Sequence, residues 1–139
     1  CMAKNYEAIT CKVAFYIPDG SKVLVVEYAN NEGYGLPGGH LENGEEPIKA
    51  CIREVQEELG LALSTTRLTL KHSWRHTNGK IILGYVSSLF EDALMDVKDV
   101  NEIVAIRWVD IEKIKDGSVP VGTYRQFILD NAKIANHST

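Results

Sequence analysis

The chain has 139 residues, 45% of them hydrophobic and 24% charged, with a formal net charge of −4. That length suits a single domain over residues 2–139 with enough material to bury a core, and no apolar run is long enough to span a bilayer. The acidic balance argues against binding a nucleic-acid backbone through a basic surface, because no cluster of Lys and Arg stands ready to displace counterions.

In chain order, Glu7 to Ile17 reads as a strand closed by the turn Pro18-Asp19-Gly20, and Lys22 to Ala29 as its hairpin partner. Asn30 to Gly35 is a loop, and Leu36-Pro37-Gly38-Gly39 leads to a helix from Pro47 to Leu59. Arg67 to His76 and Lys80 to Phe90 form a second hairpin around Thr77-Asn78-Gly79, whose Asn-Gly is a strong turn signal. Glu91 to Asn101 is polar loop, Glu102 to Val109 a strand, and Tyr124 to Ala135 a closing helix. Strands dominate and helices number two, so the pattern points to α+β or a mixed α/β sandwich. Cys1, Cys11 and Cys51 are odd in number and lack metal-site spacing, which favours a reducing cytoplasm with Cys51 as a buried thiol. Cys1 precedes Met2 and reads as a cloning remnant, and no signal-peptide pattern opens the chain.

The first helix carries the chemistry. Pro47 suits its first position, Glu45 and Glu46 sit where the helix dipole welcomes anions, and Gly60 stops it, with Leu61 placed for the hydrophobic contact that often follows. Ile48, Ile52, Val55 and Leu59 recur at helical spacing as a core-facing stripe. Glu54, Glu57 and Glu58 gather on another side, roughly 140° away at about 100° per residue. Ala50 is placed among them, where a bulky side chain would crowd ligands. Two terms oppose that cluster. Like charges at i,i+4 cost roughly 0.2–0.5 kcal/mol, and anions at the negative pole of the dipole cost about 0.3–1 kcal/mol. A solvated acidic face is the ordinary reading of such a helix; a divalent cation is what would make the cluster favourable.

The flanking residues decide between them. Gly39, Glu45, Arg53, Glu54, Val55, Glu57, Glu58, Gly60 and Leu61 fill every fixed position of G-x5-E-x7-R-E-U-x-E-E-x-G-U, where U is a bulky aliphatic. Chance would produce that match with a probability on the order of 10⁻⁷. The pattern is the signature box of the Nudix hydrolases, and the chain resembles that family, with the order of elements agreeing over nearly its whole length. The resemblance implies an α/β/α sandwich around a mixed β-sheet. It also implies hydrolysis of nucleoside diphosphates linked to another moiety, by water attack on phosphorus with Mg²⁺ or Mn²⁺ as cofactor.

Carried over residue by residue, the resemblance makes Glu54, Glu57 and Glu58 cation ligands, joined by the backbone carbonyl of Gly38, with Gly39, Glu45 and Gly60 supporting the box. Arg53 is expected to brace a carboxylate, Glu54 or Glu45, by bidentate hydrogen bonding; the alternative is a surface i,i+4 pair with Glu57. The general base is Glu54 or Glu102. Glu102 stands six residues before Trp108, as in the late strand of many members, although a solvated residue at a strand start would look the same.

Substrate choice is less legible. Tyr34, Trp74 and Tyr85 are candidates to stack a base, and Arg75, His76 and Lys80 candidates to meet phosphates, against the ordinary reading as packed strand aromatics and solvated charges. His72 and His76 share a strand face without further ligands in sight. His76 stands where ADP-ribose pyrophosphatases carry a proline, and Asn78 near where many diadenosine polyphosphate hydrolases carry a tyrosine. Val119 to Tyr124 offers no match to the asparagine that reads an oxidised guanine in some relatives. Nucleoside triphosphates remain the favoured substrates, with nucleotide sugars and dinucleoside polyphosphates as alternatives. An mRNA-cap hydrolase expects a basic RNA path that this composition lacks. A non-catalytic nucleotide-sensing module is the rival of another class, but such modules often lose box residues. The expected partner is a small nucleotide, with no membrane, and the protein is a monomer or homodimer.

Overall fold

Strand β1 (Ile9–Tyr16) and strand β2 (Lys22–Tyr28) meet at Tyr16 and Val23 and then diverge, and that fork organises the molecule. A computed structural model describes residues 9–137, so Cys1 and the Glu7 start expected for the first strand lie outside the described residues. The turn at Pro18 to Gly20 does reverse the chain, but the expected hairpin pairs only at its closed end. Elsewhere β1 runs parallel to β6 (Ile81–Ser88) along its whole length, and β2 runs antiparallel to β7 (Ile103–Asp110). The wedge between β1 and β2 is filled by β3 (Tyr34–Gly35), paired with β2, and β4 (Gly38–His40), paired with β1. Sequence reading made residues 30–35 a loop and gave 36–39 no strand; the pairing of both short strands depends on the distant fork, which no local pattern announces.

The second hairpin forms as expected with shorter strands, β5 (Thr69–Arg75) against β6, and β5 is the edge of the sheet. Helix α1 spans Pro47–Leu59, matching the sequence expectation. Gly60 closes it in the left-handed conformation at φ 70°, its N–H donating to the Gln56 carbonyl. The segment read as plain loop, 91–101, has a job here: the N–H groups of Asp96 and Lys98 donate to the carbonyls of Leu59 and Glu58, which the helix end would otherwise leave unpaired. Helix α2 (Ile111–Lys115) was not expected, being one turn long, and α3 (Arg125–His137) follows a one-turn 3-10 helix at Gly122–Tyr124, so the closing helix starts one residue later than expected.

These elements make three layers, with α1 on one face of the mixed sheet and α2 and α3 on the other. Residues alternate accordingly along β1. Cys11, Val13 and Phe15 join Cys51, Val55 and Leu59 of α1 in one core, while Ala14 and Tyr16 join Ile114, Phe127 and Ile128 in the other. Each such large side chain contributes about 1.5–3 kcal/mol through burial. Two details of α1 differ from the sequence expectation. Ala50 is fully buried in the core rather than among the carboxylates, and Ile48 and Ile52 only border that core. Cys11 and Cys51 are both buried, and burial pushes their thiols up, Cys11 to about 12, so neither is a reactive thiolate near neutral pH.

Candidate active site

The fork opens into a cleft of about 650 Å³, within the range that holds a nucleotide-sized ligand. One wall is the C-terminal half of α1 with β4, presenting Glu54, Glu58, Gly38 and Gly39; the base carries Lys12, Tyr28 and Tyr124. The tip of the β5–β6 hairpin adds His76, Asn78 and Lys80, and the opposite rim adds Glu32, Asn101 and Glu102.

Two glycines set the positions of the carboxylates. Gly38 adopts φ 132°, and a Cβ there would collide with the Cys11 carbonyl, so β4 can lie this close to β1 only with glycine. The Gly38 N–H donates to Glu58 Oε1 at 3.0 Å, tying β4 to the helix. A Cβ at Gly39 would meet the Glu54 carboxylate itself. Gly39→Ala is therefore expected to displace Glu54 and lower kcat about 10²-fold, the scale of a reacting group misplaced by an ångström. The fold should lose little stability, because the atoms a methyl would meet belong to the flexible Glu54 side chain. Steady-state kinetics and a melting curve on the same sample check both; a kcat unchanged by the added methyl would mean that Glu54 has no fixed role.

Arg53 gathers the acidic groups around itself. Its Nε and Nη2 donate to the two Glu45 oxygens at 2.8 and 3.0 Å, and Nη1 donates to Glu54 Oε1 at 2.9 Å and to Glu57 Oε1 at 3.0 Å. Nη2 also donates to the His40 carbonyl at 3.0 Å. The bidentate pairing expected from sequence thus falls on Glu45, with Glu54 sharing the other nitrogen and the i,i+4 pair with Glu57 present as well. The Arg53 hydrogen bonds hold the Glu45 carboxyl below its usual range. Glu54, raised by burial despite Arg53, lies deeper, and Glu58 is pushed up to about 7, first by burial, with Lys12 and the Gly38 N–H pulling back and Glu54 and Glu102 pushing further.

The three helix glutamates are not equivalent. Glu58 is only 5% exposed and Glu54 faces the cleft, whereas Glu57 is more than half exposed and turned to Arg53, outside the cleft lining. The sequence picture of carboxylates far from the apolar stripe holds for Glu57 but not for Glu58, which sits at the edge of the buried side beside Leu59. Among the described residues no group of three His, Cys, Asp or Glu side chains closes on a common point. Glu102 reaches the same cleft from the turn before β7, one residue ahead of the strand it was expected to begin.

Of the other residues the sequence pointed to, Tyr34, Trp74, Arg75 and Tyr85 do not line this cleft. Tyr34 packs against the core on the α3 side, and Arg75 donates to the Gly79 carbonyl within its own hairpin. Trp74 packs on Phe127 and Tyr124, donates from Nε1 to Thr123, and lines a second, smaller groove between β5 and α3 with His72. Tyr85 is buried in the α1-side core. His72 and His76 part company, because His76 lies beyond the end of β5 and turns into the cleft. Lys80 and His76 do reach the cleft, and Lys80 contacts His40 at 3.3 Å. The residue missed by sequence reading is Lys12. A lone lysine inside a strand whose two faces both carry apolar residues was the available signal, since a charge is buried there only with cause.

A family model, the NUDIX domain, matches residues 11–127. Among curated proteins the chain is similar to the mRNA-decapping enzyme subunit 2 of Saccharomyces cerevisiae, 32% identical over 97 residues, covering 68% of this chain and only 10% of that protein. It is also similar to the phosphatase NudJ of Escherichia coli K12, 26% identical over 119 residues, covering 84% of this chain and 76% of that protein. Among solved structures, a Caenorhabditis elegans Ap4A hydrolase superposes with a TM-score of 0.74 at 16% identity, covering 94% of this chain and 99% of that one. No helix among the described residues is long and apolar enough to cross a membrane. With the box filled at every position, the three-layer fold and a domain match over most of its length, the chain belongs to the NUDIX domain family, the Nudix hydrolases.

Proposed function

We propose that the protein hydrolyses a phosphoanhydride bond of a nucleoside diphosphate-linked compound, with nucleoside triphosphates as the favoured substrates, in a reaction that depends on Mg²⁺ or Mn²⁺. The observation that carries this reading is the meeting of Glu54, Glu58 and the Gly38 backbone in one nucleotide-sized cleft, with Arg53 holding Glu54 from behind. The proposed donors fit a hard cation: Glu54, Glu58 and Gly38 offer carboxylate and carbonyl oxygens. Burial has raised both Glu54 and Glu58, so each gains from a positive neighbour. Glu54, Glu58 and the Gly38 carbonyl would hold the ion, and Glu57 would join by turning from Arg53.

When bound, the cation neutralises the phosphates and activates the attacking water. The chain's own residues do the rest. Glu54 is fixed by Arg53 and Gly39, Glu58 is fixed by the Gly38 N–H, and the wedge of β3 and β4 keeps the cleft in shape. Glu102, which lines the same cleft, would take the proton of the attacking water, with Glu54 as the alternative base. Glu102→Gln is expected to lower kcat about 10²-fold with little effect on the folded state; an unchanged rate leaves Glu54 as the base.

A phosphate-release assay over nucleoside triphosphates, nucleotide sugars and dinucleoside polyphosphates, each with Mg²⁺, Mn²⁺ and EDTA, tests the whole reading. Turnover of one class, lost in EDTA, is the expected result. No turnover with either metal, combined with tight nucleotide binding, would replace the hydrolase by a nucleotide-sensing module.

A further inference from the structure

Lys12 is only 8% exposed, yet its ammonium touches neutral oxygens alone. Nζ donates to the Gly38 carbonyl at 3.2 Å and to the Tyr28 hydroxyl at 3.3 Å. Among the described residues it forms no ion pair within 4.0 Å, although Glu58 is close enough to feel its charge. A buried charge is ordinarily paired, and two hydrogen bonds leave one of its three protons to give. Its surroundings are built to aim it. Tyr28 donates its hydroxyl proton to the Leu36 carbonyl at 3.3 Å, which turns a lone pair toward Lys12. Gly35, by lacking a Cβ, leaves room for the Tyr28 ring to lie there.

The cleft that this ammonium borders is the one in which the hydrolase reading places a polyphosphate. The Gly38 carbonyl is also the oxygen that reading gives to the cation, and an ammonium and a divalent ion on one carbonyl repel each other. We propose, resting on that reading, that Lys12 is a substrate-binding residue that holds the Gly38 carbonyl in the metal-free protein and exchanges it for a substrate phosphate when the cation binds. Lys12 thereby couples metal loading to phosphate capture: its charge counts against the cation alone and in favour of the cation and phosphate together.

Lys12→Gln separates those two effects, since the amide can still donate to the Gly38 carbonyl but carries no charge. Mn²⁺ binding is measured without substrate by the electron paramagnetic resonance signal of free Mn²⁺. Binding of methylenediphosphonate, a diphosphate with an uncleavable bridge, is then measured calorimetrically on the Mn²⁺-loaded protein. The expected result has opposite signs: Mn²⁺ alone binds the variant more tightly than wild type, while the diphosphonate binds it about tenfold more weakly or worse, the scale of a lost charge-assisted hydrogen bond. Diphosphonate affinity equal to wild type overturns the proposal. So does parallel weakening of both ligands, which is what a disturbed β1 would give. Tyr28→Phe, at a partly exposed position, supplies the same comparison if the Gln variant does not fold: weaker diphosphonate with unchanged Mn²⁺ supports the coupling, and no change in either opposes it. Wild type that binds no Mn²⁺ at all would instead remove the metal-dependent reading, and this proposal with it.

Discussion

Replacing Glu58 by glutamine is expected to cut metal-dependent turnover on the order of 10³-fold, the scale of losing a central electrostatic element of a transition state, while making the metal-free protein more stable near pH 8. The two effects have one cause. Glu58 is buried at the helix end, and its carboxyl has moved from 4.5 up to about 7. Between those values the folded state keeps a proton that the unfolded state has lost, so metal-free stability falls as pH rises through that window and then levels off. The ionised carboxylate above about pH 7 therefore costs the apo fold on the order of 2–3 kcal/mol. Glutamine keeps an oxygen for the Gly38 N–H and never ionises, so the Gln variant should match wild type near pH 4 and exceed it near pH 8. Denaturant melts in EDTA across that range read the stability, and kcat at saturating Mg²⁺ reads the chemistry. A pH-independent stability difference would show that folding does not shift the Glu58 carboxyl, and a variant retaining a tenth of wild-type turnover would take Glu58 out of the cation-binding set.

Arg53→Lys is expected to lower kcat about 10–100-fold, as removal of a group that orients metal ligands does. Charge is preserved in this change, but geometry is not. The guanidinium serves Glu45 with two nitrogens and Glu54 and Glu57 with the third, and it still reaches the His40 carbonyl. A lysine has one nitrogen and can satisfy at most part of that set. Glu54 would lose its fixed rotamer, and the 40–45 segment its tie to the helix. Partial exposure limits the stability cost to about 1–2 kcal/mol. The discriminating measurement is the split between kcat and KM. A fall in kcat with KM nearly unchanged identifies a group acting through the cation site, whereas a lower melting temperature with normal kcat would reduce Arg53 to a fastener of the loop.

What could be read from sequence follows the range of the interactions concerned. Helix α1, its Pro47 start and its Gly60 stop obey rules that act within a few residues, and they stand where expected. The Asn78-Gly79 turn is equally local. The fork is not: among the described residues Tyr16 and Val23 alone pair the first two strands with each other, and the strands' main partners are the distant β6 and β7. Short elements that exist only because of that arrangement, such as β3 and β4, carry too few residues to show a period. The site divided in the same way. Glu54, Glu58, Arg53 and Glu45 came from one contiguous motif, whereas Lys12 and Tyr28 meet Gly38 only across the fork. Trp74 looked available because an edge strand exposes its aromatics in sequence, yet α3 covers it.

The fork also separates what must be kept from what can be varied. The end of the cleft that holds the glutamates is locked by close contacts among β1, β4 and α1, where a methyl group at Gly38 would strike the backbone of β1 and one at Gly39 the Glu54 carboxylate. The outer rim is made from the 29–33 turn and the 76–80 hairpin tip, both joined to the frame at their ends. Substitutions at those two places are expected to leave the Glu54 and Glu58 side chains where they are. One scaffold of this shape can acquire a new clientele by rebuilding its doorway while its hearth stays as it was.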